Sequence, residues 1–209
     1  MGVVAVAPLA FLQEEDTYPD DVDGRVMLHD VSWDRYEALL AFIGEDFPGL
    51  HVTYLEGTLE LLTTSRFHEA IKKMLARLVE AYALETRLYL NGYGQTTFRK
   101  RAKRRGAEPD ECYSLGRLRK VPDIALEVIW TSGGLDKLDV YAGLEVPEVW
   151  LWQEGALTIH ALGARGYRTV KRSRFLPGLD PAELCRYAQR TDQTAAVREF
   201  FDALRKKRR

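Results

Sequence analysis

The 209-residue sequence lacks several features by which common protein classes are recognised. It has only two cysteines, Cys112 and Cys185, and their spacing fits no zinc site, so we expect free thiols in a reducing compartment. The apolar N-terminus is too short to span a bilayer and has no basic segment before it, which argues against a signal peptide. The sequence therefore predicts a cytoplasmic protein with no membrane partner.

Several enzyme motifs are also missing. The sequence contains no GxGxxG, no P-loop, no GxSxG and no HExxH motif. These motifs carry dinucleotide binding, phosphate binding, serine hydrolysis and zinc-dependent hydrolysis, respectively. A small-molecule enzyme of these classes therefore finds no support in the sequence.

Charge is concentrated in short runs, although the formal net charge is only −1. Residues 14–23 carry six acids and no bases, and residues 99–105 carry six bases. Such a run is most often a solvated loop, but a basic run can also contact phosphate groups. The second interpretation gives six candidates for binding a nucleic-acid backbone: Arg99, Lys100, Arg101, Lys103, Arg104 and Arg105.

The spacing of apolar residues predicts both helices and short strands. Two amphipathic helices begin after Ser32 and Ser65, and a hairpin turning at Glu56 and Gly57 lies between them. From residue 87 onward, short alternating segments indicate strands, with one helix among them and two more near the C-terminus. This order predicts an α/β (α+β) fold with a mixed sheet.

The sequence also suggests how the chain is divided. Residues 1–28 have weak periodicity and contain the acidic run, so we expect them to form a loosely attached N-terminal arm. Residues 29–209 contain no linker and no repeat, and we expect them to form a single domain.

The segment "RKVPDIALEVIW", residues 119–130, places an acid inside a strand that otherwise looks buried. Side chains alternate along a strand, so Glu127 lies on the face opposite Leu126 and Val128. Asp110 opens the preceding strand, which we expect to be the neighbour of this one. Two adjacent buried carboxylates repel each other unless a cation lies between them, and Mg²⁺ is commonly held by one or two carboxylates and water.

Simpler alternatives remain open at this point. Glu127 would pair with Lys137, and Asp110 would cap a turn. Lys137 itself lies about one turn into the helix that follows the Glu127 strand. It is either an exposed helix lysine or a cation that reaches back to the acids, where it would stabilise negative charge on an attacked phosphate.

Three segments together resemble a known family: "EPDECYSL", "VPDIALEVIWTSGGLDKLDVYAGLEVPEVWLW" and "YRTVKRSRFLPGLD". They are similar to the Uma-two family of restriction endonuclease-like proteins, which is assigned to the PD-(D/E)XK nuclease superfamily. The resemblance runs from about residue 50 to residue 185. It implies a restriction endonuclease-like core, a mixed sheet flanked by helices. It also implies an Mg²⁺-dependent endonuclease, with Mn²⁺ as a substitute ion.

The family pattern implies roles for particular residues. Asp110 matches the first metal-binding acid and Glu127 the second, and the backbone carbonyl of Val128 matches a further metal ligand. In the superfamily a lysine follows the second acid by two positions, but here that position is Ile129. Lys137 matches the place on the following helix to which the family's lysine has moved.

The pattern also points to the first core helix. Many superfamily members use an acid there, and Glu69, beside His68, occupies that place. The resemblance thus implies catalytic roles for Asp110, Glu127, Lys137 and Glu69. A charged first turn favoured by the helix dipole is the alternative for the His-Glu pair.

Two hypotheses follow. In the first, the protein hydrolyses phosphodiester bonds of double-stranded DNA, the basic run holds the backbone, and a homodimer matches the two strands by analogy. In the second, the fold is kept without catalysis, as a nucleic-acid-binding or regulatory protein. Ile129 favours the second hypothesis, and the presence of Asp110, Glu127 and Lys137 favours the first.

Overall fold

The computed structural model describes residues 22–44, 46, 47 and 49–208, and within them the chain forms eleven strands and five helices. The strands are β1 Gly24–Leu28, β2 Leu50–Leu55, β3 Thr58–Thr63, β4 Leu90–Gly92, β5 Phe98–Lys100, β6 Arg105–Ala107, β7 Glu111–Leu115, β8 Ile124–Ile129, β9 Glu148–Gln153, β10 Ala156–Gly163 and β11 Gly166–Val170. The helices are α1 Trp33–Ile43, α2 Arg66–Thr86, α3 Lys137–Leu144, α4 Pro181–Ala188 and α5 Gln193–Arg208.

The strands form two sheets. The first sheet has the order β1-β3-β2-β6-β5, and all of its pairs are antiparallel. The second sheet has the order β11-β10-β9-β8-β7-β4 and is mixed, because β8 and β9 are parallel while the other pairs are antiparallel. Helix α3 connects the two parallel strands, as a parallel crossover requires.

Both faces of the second sheet are covered, which explains why its central strands are almost fully buried. One face, with Leu126 and Val128 of β8, packs in a hydrophobic cluster that contains residues of α2, α4 and α5. The other face packs against α3 and the nearby strand β5. Helix α1 covers the first sheet through Tyr36, which stacks on Tyr54. The prediction of a mixed sheet flanked by helices is confirmed, although the described residues form two sheets.

Helix starts follow the signals in the sequence. The Ser32 side chain accepts a hydrogen bond from the Arg35 amide at the start of α1, and the Ser65 side chain accepts one from the His68 amide at the start of α2. These caps satisfy amides that have no partner within the helix. The cap at Ser65 also fixes the helix turn that carries His68.

The predicted N-terminal arm needs a correction at its end. Residues 1–21 of the arm lie outside the described residues. Residues 24–28 form β1, which pairs along its length with β3, so this part is a strand of the first sheet and not a loose arm. The division into an arm and one domain otherwise stays a prediction. None of the helices in the described ranges is long and apolar enough to cross a membrane.

Candidate active site

Nine polar side chains meet in the region where β2 and β3 of the first sheet approach β8, α2 and α3. We call them the buried polar cluster: Asp23, His51, Thr53, Glu60, His68, Asp110, Glu127, Lys137 and Tyr141. None of these side chains is more than 10% exposed. Burying this many ionisable groups is unfavourable unless opposite charges and hydrogen bonds compensate them.

Asp110 and Glu127 lie side by side on neighbouring strands. Glu111 of β7 pairs with Leu126 of β8 in an antiparallel register, so the next position along each strand places Asp110 beside Glu127. Opposed residues of an antiparallel pair have Cβ atoms about 5 Å apart. The adjacency expected from the sequence is therefore present in the fold.

The Asp110 carboxylate is surrounded by hydrogen-bond donors and positive charge. Its Oδ2 accepts a hydrogen bond of 2.7 Å from the Val128 amide. Its Oδ1 lies 3.1 Å from Nε2 of His68 and 3.7 Å from Nδ1 of His51. Burial alone would raise the pKa of Asp110, but the neighbouring His68 outweighs burial and lowers that pKa to about 2. Asp110 is therefore ionised at neutral pH.

His68 is held between two acids. Its Nδ1 lies 3.0 Å from Oδ2 of Asp23, which precedes β1, and its Nε2 faces Asp110. Burial disfavours the imidazolium, yet the contacts with Asp110 and Asp23 raise the pKa of His68 to about 9. A protonated His68 thus supplies one of the two positive charges in the cluster, and it comes from the capped first turn of α2.

The pKa of Glu127 is shifted in the direction opposite to that of Asp110. Burial and the negative charge of Asp110 raise the pKa of its carboxyl to about 7, although Lys137 and a hydrogen bond donated by Tyr141 act to lower it. The pKa values of the two adjacent carboxyls are thus shifted in opposite directions, because His68 stabilises the charge of Asp110 while burial and the charge of Asp110 disfavour that of Glu127.

Lys137 supplies the second positive charge. Its Nζ donates a hydrogen bond of 3.1 Å to Oγ1 of Thr53 and lies 3.4 Å from Oε2 of Glu127 and 3.9 Å from Oε1 of Glu60. Burial acts to lower the pKa of Lys137, but the charges of the two glutamates raise it above its usual value. Of the two alternatives for this lysine, the exposed position is excluded, and the pairing with Glu127 is present.

The donor set of the cluster fits a divalent cation of the magnesium type. No three His, Cys, Asp or Glu side chains in the described ranges are grouped closely enough to form a complete metal site by themselves. Mg²⁺ does not need such a group, because it keeps several waters and is commonly bound by one or two carboxylates. Asp110 and Glu127 provide two adjacent carboxylates, and a cation between them would offset both the burial of Glu127 and its repulsion by Asp110, the two causes of its raised pKa.

Glu69 lies outside the cluster, although the family pattern suggested a role for it. Its side chain is 43% exposed, and its carboxylate accepts a hydrogen bond from Thr64 and pairs with Lys72 at 2.6 Å. On the same helix turn it is His68 that points inward. The position of Glu69 therefore does not support the predicted catalytic contribution.

Some members of the basic run form ion pairs or hydrogen bonds within the fold, and others do not. Arg105 is buried and contacts Glu56 and Asp139, so its charge is already paired within the fold. Three others also have partners in the fold: Lys100 pairs with Glu145, Arg101 pairs with Asp34 and Glu37, and Arg104 donates to the Tyr54 hydroxyl.

Arg99 and Lys103 differ from the rest of the run. Both are exposed, and neither has a carboxylate within 4.0 Å among the residues that the structure describes. Arg104 is likewise exposed and has no carboxylate within 4.0 Å in the described part of the chain, although it donates to Tyr54, so three members of the run keep charges that are available to an external phosphate.

Five members of the cluster were not identified from the sequence: Asp23, His51, Thr53, Glu60 and Tyr141. The only signal for them is the position of His51, Thr53 and Glu60 within otherwise apolar strands of the predicted hairpin. That pattern resembles the one that singled out Glu127. It shows a polar strand face but does not reveal which distant residues the face meets.

Comparison with known proteins gives two similarities. A family model named Uma2 and described as "Putative restriction endonuclease" matches residues 33–192, more than three quarters of the chain. A solved structure from Anabaena variabilis ATCC 29413, described as a "putative nuclease belonging to DUF820", has 13% sequence identity and a TM-score of 0.47, and the match covers 73% of this chain and 90% of that one. No curated protein matches the chain significantly.

The charge state of His68 predicts how stability depends on pH. The pKa of His68 is raised from 6.5 to about 9 by Asp23 and Asp110, while the nearby His51 has a lowered pKa. The raised pKa stabilises the fold fully below pH 6.5, and this contribution is lost as the pH rises toward 9. In metal-free buffer we expect His68→Gln to remove about 3 kcal/mol of stability at pH 6, and much less at pH 9.5.

Chemical denaturation at several pH values measures this effect. His160→Gln is a matched control, because His160 lies on β10 outside the cluster and has a lowered pKa, so it should not alter the slope between pH 6.5 and 9. Parallel stability curves for wild type and His68→Gln across this range would show that His68 is not held charged by the two acids.

Proposed function

The chain belongs to the Uma2 family, and from this membership we propose that it is a metal-dependent endonuclease that hydrolyses phosphodiester bonds of DNA. The resemblance to this family that the sequence suggested is confirmed by the family match. The observation that carries the proposal is the arrangement of two adjacent buried carboxylates, Asp110 and Glu127, with the amino group of Lys137 at 3.4 Å from the second.

Asp110 and Glu127 are the residues that would hold Mg²⁺ or Mn²⁺, with the backbone carbonyl of Val128 as a further ligand. When bound, the ion would polarise the scissile phosphate and lower the pKa of a bound water. Asp110 is already fixed for this role, because the Val128 amide and His68 hold both of its oxygens.

Lys137 is the group that would stabilise the negative charge of the attacked phosphate. Its charge is maintained by Glu127 and Glu60, and its side chain is 10% exposed, so its field is weakly screened by water. His68 and Lys137 also compensate the two carboxylates when no ion is present. This compensation lets the site form before metal and substrate arrive.

A protein of the same fold without catalytic activity is the second candidate. One observation favours it: both oxygens of Asp110 already have partners, and one of these is the cationic His68. In a decayed site this internal ion pair would replace the metal ion permanently. The two candidates differ in whether Asp110 is needed for cleavage or only for stability.

Nuclease assays separate the two candidates. We expect Asp110→Asn, Glu127→Gln and Lys137→Met each to lower DNA cleavage by about 100-fold or more, because each removes a metal ligand or a charge that acts on the phosphate. Supercoiled plasmid, linear duplex, single-stranded DNA and RNA would be incubated with wild type and variants in Mg²⁺, Mn²⁺ or EDTA.

Glu69→Gln serves as a matched control, because it is the same change at a glutamate outside the cluster, and it should cleave like wild type. Equal cleavage by wild type and Asp110→Asn would contradict a catalytic role for this site. A folded wild type that binds DNA but cleaves none of the substrates in either metal would favour the decayed protein.

DNA binding offers a separate prediction for the basic run. Replacing Arg99 and Lys103 together by glutamine should weaken duplex binding and reduce the slope of log K against log salt by about 2, since each phosphate contact contributes roughly 0.9. Fluorescence anisotropy at several salt concentrations in EDTA measures both quantities.

Arg101→Gln is the control for this experiment, because Arg101 is already paired with Asp34 and Glu37. We expect it to change the salt slope by much less than the double variant does. If all three substitutions leave affinity and slope unchanged, Arg99, Arg101 and Lys103 have no part in binding DNA.

A further inference from the structure

Glu60 has no place in the family pattern, yet it is one of the most deeply buried charged residues of the protein. It is 1% exposed and lies on β3, on the first sheet, whereas Asp110 and Glu127 belong to the second sheet. An acid in this position adds negative charge to a cluster that already contains two adjacent carboxylates. The free-energy cost of burying this charge must be offset by specific contacts of the Glu60 carboxylate.

One carboxylate oxygen of Glu60 is anchored to the loop before α3. Oε2 accepts a hydrogen bond of 2.6 Å from the Leu135 amide, and Nε of Arg25 lies 3.8 Å away. The close approach depends on a glycine at position 134, because a Cβ there would lie 2.6 Å from the same oxygen. The carboxylate is therefore held at a fixed distance from the first turn of α3, which carries Lys137.

The other oxygen of Glu60 is not engaged in this way. Oε1 is buried and has no hydrogen-bond partner among the described residues, but it lies 3.9 Å from Nζ of Lys137. The same amino group lies 3.4 Å from Glu127. Lys137 is thus located between two carboxylates, closer to the one that belongs to the proposed metal site and slightly too far from the other for a hydrogen bond.

We propose that Glu60 is a positioning residue that receives the ammonium group of Lys137 when a divalent cation takes over the charge of Glu127. This inference rests on the proposed function, because it assumes that Asp110 and Glu127 bind the ion. The ion and the ammonium group compete for the same carboxylate. Glu60 offers the ammonium group a second carboxylate without removing it from the site.

A defined thermodynamic coupling follows from this arrangement. Without the charge of Glu60, Glu127 is the one carboxylate among the described residues within 4.0 Å of the Lys137 ammonium group, and the ion must displace that group at a large loss of electrostatic energy. Without Lys137, no displacement is needed, and Glu60 matters little for ion binding. The effects of Glu60 and Lys137 on metal affinity should therefore be non-additive.

The test is a double-mutant cycle of Mn²⁺ affinity, measured by calorimetry or by electron paramagnetic resonance without DNA. We expect Glu60→Gln to weaken Mn²⁺ binding about tenfold in the wild-type background and less than about threefold in the Lys137→Met background, a coupling within the usual range for interacting sites. Glutamine can still accept the hydrogen bond from Leu135, so the loop anchor is kept. Circular dichroism and thermal melting verify that each variant is folded.

Each outcome has a distinct meaning. Glu69→Gln is the matched control and should leave Mn²⁺ affinity unchanged. Equal weakening by Glu60→Gln in both backgrounds would overturn the proposal and indicate that Glu60 attracts or binds the ion directly. If Glu60→Gln weakens Mn²⁺ binding in neither background, Glu60 only anchors the loop before α3, and the proposal is overturned.

Failure of the proposed function gives a different result in the same experiment. If wild type binds no Mn²⁺, or if Asp110→Asn binds it as well as wild type does, the metal site itself is refuted, and the role of Glu60 is refuted with it. If wild type binds Mn²⁺ through Asp110 but the cycle shows no coupling, the metal site stands and only the role of Glu60 is overturned.

Discussion

The arrangement of the site depends on the compensation of two buried carboxylates by two buried cations that come from different helices. Asp110 and Glu127 are placed side by side by the pairing of β7 with β8. Isolated charges in such a position are strongly unfavourable, so the fold requires His68 from α2 and Lys137 from α3. Each cation is fixed in turn by an acid of another element, Asp23 for His68 and Glu60 for Lys137. The cluster therefore ties both sheets and two helices together electrostatically.

Most elements of the fold could be predicted from the sequence because their side-chain patterns are local. The helix caps, the hairpin turn and the strands of the second sheet follow from residues within a few positions of each other. Strand β1 cannot be predicted from the side-chain pattern, because its residues are exposed or half-buried and it is held by backbone pairing with β3. The burial of Arg105 is not visible in the sequence, because the acids that pair with it come from the hairpin turn and from α3.

The same distinction applies to the site. The sequence indicates Asp110, Glu127 and Lys137 because an acid in a buried strand is unusual and because the spacing of these residues resembles a family pattern. The preference for Glu69 over His68 shows the limit of this reasoning. Both residues lie in the first turn of α2, and the sequence does not show that Asp23 and Asp110 approach that turn from two sides. The two acids that hold the His68 side chain inward, Asp23 and Asp110, each lie more than 40 residues from it in the sequence.

A lysine on a helix differs mechanically from a lysine on the strand that carries the second acid. A strand lysine two positions after Glu127 would share that strand's backbone, so its distance from the acid would be set largely by the sheet; in this chain that position is Ile129. Lys137 instead reaches the acid from α3, whose preceding loop is fastened to the first sheet by Glu60 and Arg25. The distance between the ammonium group and the acids is therefore set by the contact between the two sheets. A change at that contact would therefore move the ammonium group of Lys137 relative to Asp110 and Glu127, whose spacing is fixed by the pairing within the second sheet.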